Sequence, residues 1–199
     1  MFVESLSSIC LYDGGMRAAR AEELEDWKSI HRLTPEGAVE SEQYAALRPA
    51  AVEHSREGAC ELGCLYWSEV ERSTFGLVRV RYVASSDREQ QVELRVLDRG
   101  PVLLVFAPAD IVVSGDGVTC RFAIRGGLLA RGPRGSLALT QLRLPAPGLR
   151  SVITAFHPRL AARPGRPRWS RPLYALVQHR LHVWISRRFF RALAEGHRP

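Results

Sequence analysis

What this chain has little of narrows its reading first. Lysine is nearly missing: Lys28 is the only one, and arginine supplies the rest of the 28 basic side chains. That bias reflects genome composition and carries no mechanism. Cysteine is sparse and scattered, at Cys10, Cys60, Cys64 and Cys120. A small disulfide-stapled scaffold is thereby excluded, and free thiols in a reducing cytoplasm are expected. No positively charged segment followed by an apolar stretch opens the sequence. No apolar run reaches the ~20 residues that a membrane-crossing helix requires. The expectation is a cytoplasmic protein with no membrane span.

Motifs for specific chemistry are missing too. His54, Cys60 and Cys64 are zinc-ligand types, yet Cys60 and Cys64 lack a second matching pair. His179 and His182 stand three apart without a third ligand nearby. Structural thiols and solvated or capping histidines are expected, with no metal. Gly126-Gly127 and the Gly132/Gly135 pair are not followed by Lys-Ser or Lys-Thr, so they form no phosphate loop. Bending a sheet is their expected task. There is no Gly-x-Ser-x-Gly elbow, no Ser-His-Asp set stands out, and no cofactor is implied.

Charge is present, and unevenly placed. The net charge is +7. Residues 1–73 carry 7 basic and 14 acidic side chains, residues 74–149 carry 10 and 6, and residues 150–199 carry 11 and 1. The basic end suits either an acidic partner or the chain's own acidic third. Arg159, Arg163, Arg166, Arg168 and Arg171 have no interleaved aromatics except Trp169. The run therefore reads as a solvated linker, and nucleic acid is not an expected partner.

A chain of 199 residues with 46% hydrophobic content is large enough for one domain with a proper core. Four parts are expected: a helical N-terminal part over residues 1–65, an antiparallel sheet over 66–156, a Pro/Arg-rich connector over 157–170 and a helix over 171–195. Within the first part, residues 2–12 read as a short strand, 16–33 as a helix, and 34–37 as the start of a second helix running to residue 47. Residues 50–65 stay undecided, because Gly58 and Gly63 argue against a helix. From residue 66 the hydrophobic period falls to two, with turn signals at 85–87, 98–101, 115–117, 132–135 and 145–148. Val102 to Phe106 is apolar on both faces and reads as a central strand.

The last helix has its own punctuation. Ser170 suits the N-cap, Pro172 the first turn and Gly196 the C-terminal stop. At 100° per residue, Leu173, Tyr174, Val177, Leu181, Trp184, Ile185, Phe189 and Ala192 share one broad face. Leu176, Val183 and Phe190 form a second stripe, suited to a partner or a second copy. Arg188 projects from the main face, either snorkelling or pairing with a carboxylate, or at the end of an interior pocket.

The expected class is thus α+β: a curved antiparallel sheet of about six to seven strands packed around a long C-terminal helix. In element order this resembles the helix-grip arrangement of the START and polyketide-cyclase-like superfamily. The resemblance implies binding of a hydrophobic or amphipathic small molecule in a cavity between sheet and C-terminal helix. Tyr82, Gln141, His157, Arg159 and Arg188 are the polar groups that would contact it. A cyclase or aromatase-type enzyme on the same fold, with His157 or Tyr82 as acid or base, is one alternative. An interaction module using the second helix stripe is another. Whether the chain is an enzyme stays open at this point.

Overall fold

A computed structural model describes residues 24–47, 50–84, 90–143, 147–159 and 170–196, with the side chains of the final helix described from Arg180 onward. The expected strand over residues 2–12 and the connector over 160–169 lie outside the described residues, as do the first residues of the expected helix at 16–33.

The described residues begin with a hairpin where helices were expected. Strands β1 (Glu25–Leu33) and β2 (Val39–Ala46) pair antiparallel. Between them, Thr34-Pro35-Glu36-Gly37 is a turn closed by the Gly37 N–H donating to the Thr34 carbonyl at 2.9 Å, with Gly37 at φ 79°. Proline at the second position and a left-handed glycine after it are hairpin chemistry. The alternation in β2 is real but hard to see in sequence, because its buried positions are Val39, Ser41, Gln43 and Ala45, two of them polar.

Helix α1 (Arg56–Ser73) follows, capped by Ser55, whose Oγ accepts from the Gly58 N–H at 3.1 Å. Its two glycines are there for proximity. A Cβ at Gly58 would run into the Glu53 carbonyl, and one at Gly63 would meet Cys120 Sγ and Phe122 at 3.0 Å. Tertiary contact therefore outweighs a helix propensity penalty of about 1 kcal/mol per glycine.

Seven more strands complete the sheet: β3 (Val78–Ala84), β4 (Gln90–Val96), β5 (Val102–Phe106), β6 (Asp110–Ser114), β7 (Gly117–Gly126), β8 (Ser136–Leu142) and β9 (Gly148–Phe156). The order is β1-β2-β9-β8-β7-β5-β4-β3, with β6 also paired to β7, and the named pairings are all antiparallel. Among the described residues there are nine strands, more than the six or seven expected, because the hairpin β1–β2 joins the sheet through β2 and β9. Val102–Phe106 is interior, as its two apolar faces imply. At Gly127, φ is 114° and a Cβ would run into the Leu103 carbonyl oxygen, so the bend there demands glycine.

Helix α2 (Ser170–Ala194) closes the described chain, with Gly196 at φ 69° behind it. Its position differs from expectation. The middle of the sheet is covered by α1, whose Trp67 sits 5.0 Å from both Phe106 and Phe122. The C-terminal half of α2 lies beside α1, through Phe189 on Tyr66 at 5.4 Å, and over the hairpin, through Phe190 on Trp27 at 5.5 Å. Ile185, Phe189, Phe190, Ala192 and Leu193 are buried, whereas Leu181 is 37% and Trp184 39% exposed. The buried face thus keeps Ile185, Phe189 and Ala192 of the expected one but leaves Leu181 and Trp184 of it partly exposed. Phe190 of the second stripe is wholly enclosed by the chain's own core and is not offered to a partner. No helix among the described residues is long and apolar enough to cross a membrane.

Candidate functional site

The five polar residues singled out from sequence do not converge. Gln141 is buried and fully engaged: its Oε1 accepts the Ala51 N–H at 2.9 Å, and its Nε2 donates to the carbonyls of Leu142 and Gly148. It fastens the segment before α1 to the sheet. His157 lies at the other end of β9, roughly 25 Å away at 3.3 Å per residue. There its carbonyl accepts the Arg131 N–H, and the Arg159 N–H donates to the Leu129 carbonyl. Tyr82, on the edge strand β3, lines a small apolar cleft with Cys60, Cys64, Trp67, Cys120 and Phe122. The cleft holds about 10 Å³ and lies between α1 and the sheet. That is space for one water-sized group, against roughly 300–1,000 Å³ for ligand pockets. Arg188 does not line it.

Arg188 pairs instead. Its Nε donates to Glu69 Oε2 at 3.3 Å, and its guanidinium lies 5.5 Å from the Trp184 ring centroid. Arg72 takes the other Glu69 oxygen at 2.9 Å. Glu69 is buried, so two half-exposed arginines neutralise one carboxylate that has been taken out of water. A second buried polar group lies between α2 and the sheet. Gln43 Nε2 donates to Ser41 Oγ at 2.7 Å, while Ser186 Oγ donates to Gln43 Oε1 at 3.5 Å. Ser151, opposite Gln43 in register, is buried with its Oγ unpartnered among the described residues.

Cys60, Cys64 and Cys120 are free thiols. Cys120 is buried, and burial first, then Cys60 and Asp110, pushes its pKa well above the usual thiol range. Burial likewise pushes the Tyr66 hydroxyl well up; it lies 3.5 Å from His182 Nδ1. Among the described residues no three His, Cys, Asp or Glu side chains come together as a metal site.

The feature most in need of explanation was not singled out from sequence. Helix α1 ends at Thr74 in a Schellman turn: the Phe75 N–H donates to the Arg72 carbonyl at 3.1 Å and the Gly76 N–H to the Glu71 carbonyl at 2.9 Å. The left-handed position of that motif, normally glycine, is Phe75, at φ 52°. Its side chain is 86% exposed. Leu97, in the turn after β4, has the same left-handed backbone at φ 52° and is 54% exposed. The two turns are joined, because the Leu97 N–H donates to the carbonyl of Leu77, itself 61% exposed. Trp184 of α2 stands 6.5 Å from Phe75, ring to ring. Three protruding apolar residues and a half-exposed tryptophan thus share one end of the molecule.

Basic side chains ring them. Arg72 and Arg188 share Glu69, Arg79 is 3.8 Å from Glu71, Arg81 is 2.8 Å from Asp98, and Arg99 is exposed in the Leu97 turn. Five arginines face three carboxylates, one of them buried. The sequence carried one signal for this site, a Phe-Gly pair just past a helix end. That pair falls inside the sheet expected over 66–156, where no helix end is marked.

Compared with models of known protein families and with curated proteins, the sequence matches none.

Proposed function

We propose that the chain is a docking module whose contact surface is Phe75, Leu77, Leu97 and Trp184. What carries this reading is Phe75. An L-residue in the left-handed region costs roughly 1–2 kcal/mol, and glycine would cap α1 without that cost. A phenylalanine that is 86% exposed gains little burial within the chain to offset it. A strained backbone carrying an exposed aromatic side chain makes sense when the reward lies in another molecule. Leu97 repeats the pattern one turn away.

Substitution of Phe75 by glycine separates the two contributions. Phe75→Gly should raise the unfolding midpoint by a few degrees, equivalent to roughly 1 kcal/mol. The same change should abolish comigration of the purified chain with larger assemblies when it is added to an extract of cells that express it. Unchanged comigration of the variant, or its loss together with the fold, would sink the reading.

A second reading keeps the helix-grip likeness and its small apolar ligand, moved from α2 to the cleft beside α1. The presence of Tyr82 in that apolar lining favours it. Because the cleft holds only a water-sized group, it must open to admit even a benzene-sized molecule; such molecules should then raise the melting temperature of the chain but not of Gly63→Val, which fills the cleft. No shift for either protein rules this reading out.

A further inference from the structure

We infer that the surface Phe75, Leu77, Leu97 and Trp184 present is met by an anionic bilayer interface, so that the protein is a peripheral membrane binder. The inference rests on the docking reading above and names the partner.

The shape of the apolar group comes first. Phe75, Leu77 and Leu97 stand on two linked turns and are 86%, 61% and 54% exposed. They stand on turns, and none of them lines the cleft beside α1, so no trough for an extended peptide or helix is seen there among the described residues. A bilayer needs none: protruding apolar side chains enter the headgroup and acyl boundary one by one. Trp184, partly exposed and 6.5 Å from Phe75 ring to ring, is the residue type that settles at that boundary.

Charge comes second. The rim holds Arg72, Arg79, Arg81, Arg99 and Arg188 against Glu69, Glu71 and Asp98, and Glu69 is buried. Each basic group held near an anionic surface raises partitioning about fivefold at low salt. The whole chain, at +7, is drawn the same way. Guanidinium groups also bind phosphate oxygens in bidentate fashion, which suits phospholipid headgroups.

Geometry makes the two features cooperate. Arg188 lies over Trp184 while holding Glu69, and Arg79 packs against Gly76, next to Phe75. These two arginines therefore sit beside the apolar tips, where headgroup phosphates would lie once the tips had entered. One apolar group alone gives only weak and reversible attachment, and a second signal from basic residues is what makes such attachment useful.

The test is cosedimentation of the full chain with large vesicles of phosphatidylcholine alone, or with about one-third phosphatidylglycerol. It is run at about 0.1 M salt and again at about 1 M, where the Debye length falls from ~10 Å to ~3 Å. The chain should pellet with the anionic vesicles at low salt and stay in solution with the neutral ones. High salt should release most of it. Phe75→Gly should lower partitioning roughly tenfold, the worth of burying one large apolar side chain. Because this variant relaxes the backbone, its unfolding temperature shows directly that the fold is kept. Arg99→Gln should lower partitioning about fivefold. No binding to anionic vesicles, or equal binding of wild type and Phe75→Gly, overturns the inference. If wild type ignores vesicles yet still comigrates in a membrane-free extract in a Phe75-dependent way, the partner is a protein. The lipid assignment then falls while the docking reading stands; loss of both signals removes both.

Discussion

At the residue scale, sequence-level reasoning places Arg188 on the apolar face of the last helix and leaves its partner open. The structure supplies the partner, Glu69 on α1, 119 positions away. A carboxylate buried with two arginines is stabilised by them, but both arginines remain half in water, so each contact is worth little more than an exposed charged hydrogen bond. Arg188→Met should cost roughly 1 kcal/mol, because Arg72 still holds Glu69. Glu69→Gln should cost about as much. In a double-mutant cycle read by urea unfolding, the two should couple by a similar amount. A cycle with zero coupling would mean that the pair contributes nothing. Gln141 teaches the same lesson. It is a polar residue on an inward strand position, and sequence cannot say whether such a group faces a ligand or, as here, ties down a neighbouring backbone.

Element by element, what could be read depended on how the inward positions are occupied. Strands β4, β5, β7, β8 and β9 were legible because apolar side chains mark their buried face, as Val118, Cys120, Phe122 and Ile124 do in β7. Strand β2 was not, since it buries Ser41 and Gln43. Helix α1 was obscured by two glycines that a neighbouring chain segment requires. In α2 the boundaries were legible from its capping residues, but the buried face only in part, because apolar groups surround the helix: Ile185, Phe189 and Ala192 of the expected face are buried, Leu181 and Trp184 are not. A pair of substitutions checks the corrected face. Leu181, 37% exposed, should tolerate alanine at a cost below about 1 kcal/mol, while Phe189→Ala, emptying a site against Tyr66, should cost roughly 3–5 kcal/mol. Equal costs in thermal unfolding would return α2 to the orientation that the wheel selects.

For the whole molecule, burial of titratable groups sets the pH response. The Cys120 and Tyr66 pKa values are both raised in the folded chain, Cys120 by burial with Cys60 and Asp110 adding, and Tyr66 by burial. Above about pH 8.5, an unfolded thiol releases a proton that the folded one keeps. The unfolded state then binds fewer protons, so stability must fall as pH rises. The slope from Cys120 alone approaches ~1.4 kcal/mol per pH unit well above that pH, and Tyr66 steepens it beyond about pH 10. Cys120→Ala should flatten the first part of this decline in urea titrations between neutral and alkaline pH; an unchanged profile would show that the thiol is not the group responsible. By itself the sequence determined the class: antiparallel strands joined by tight turns, a last helix with its end signals, and a basic excess toward the C-terminus. Those properties are local, written in period, turn chemistry and composition. The tertiary structure decided which helix lies across the sheet, which charges meet, and which apolar side chains stay outside. Each of these depends on contacts between residues far apart in the chain. Phe75 is the clearest case. Nothing in its local sequence separates a core phenylalanine from a protruding one, and only the fold, by ending α1 where it does and turning left-handed there, places that ring in solvent.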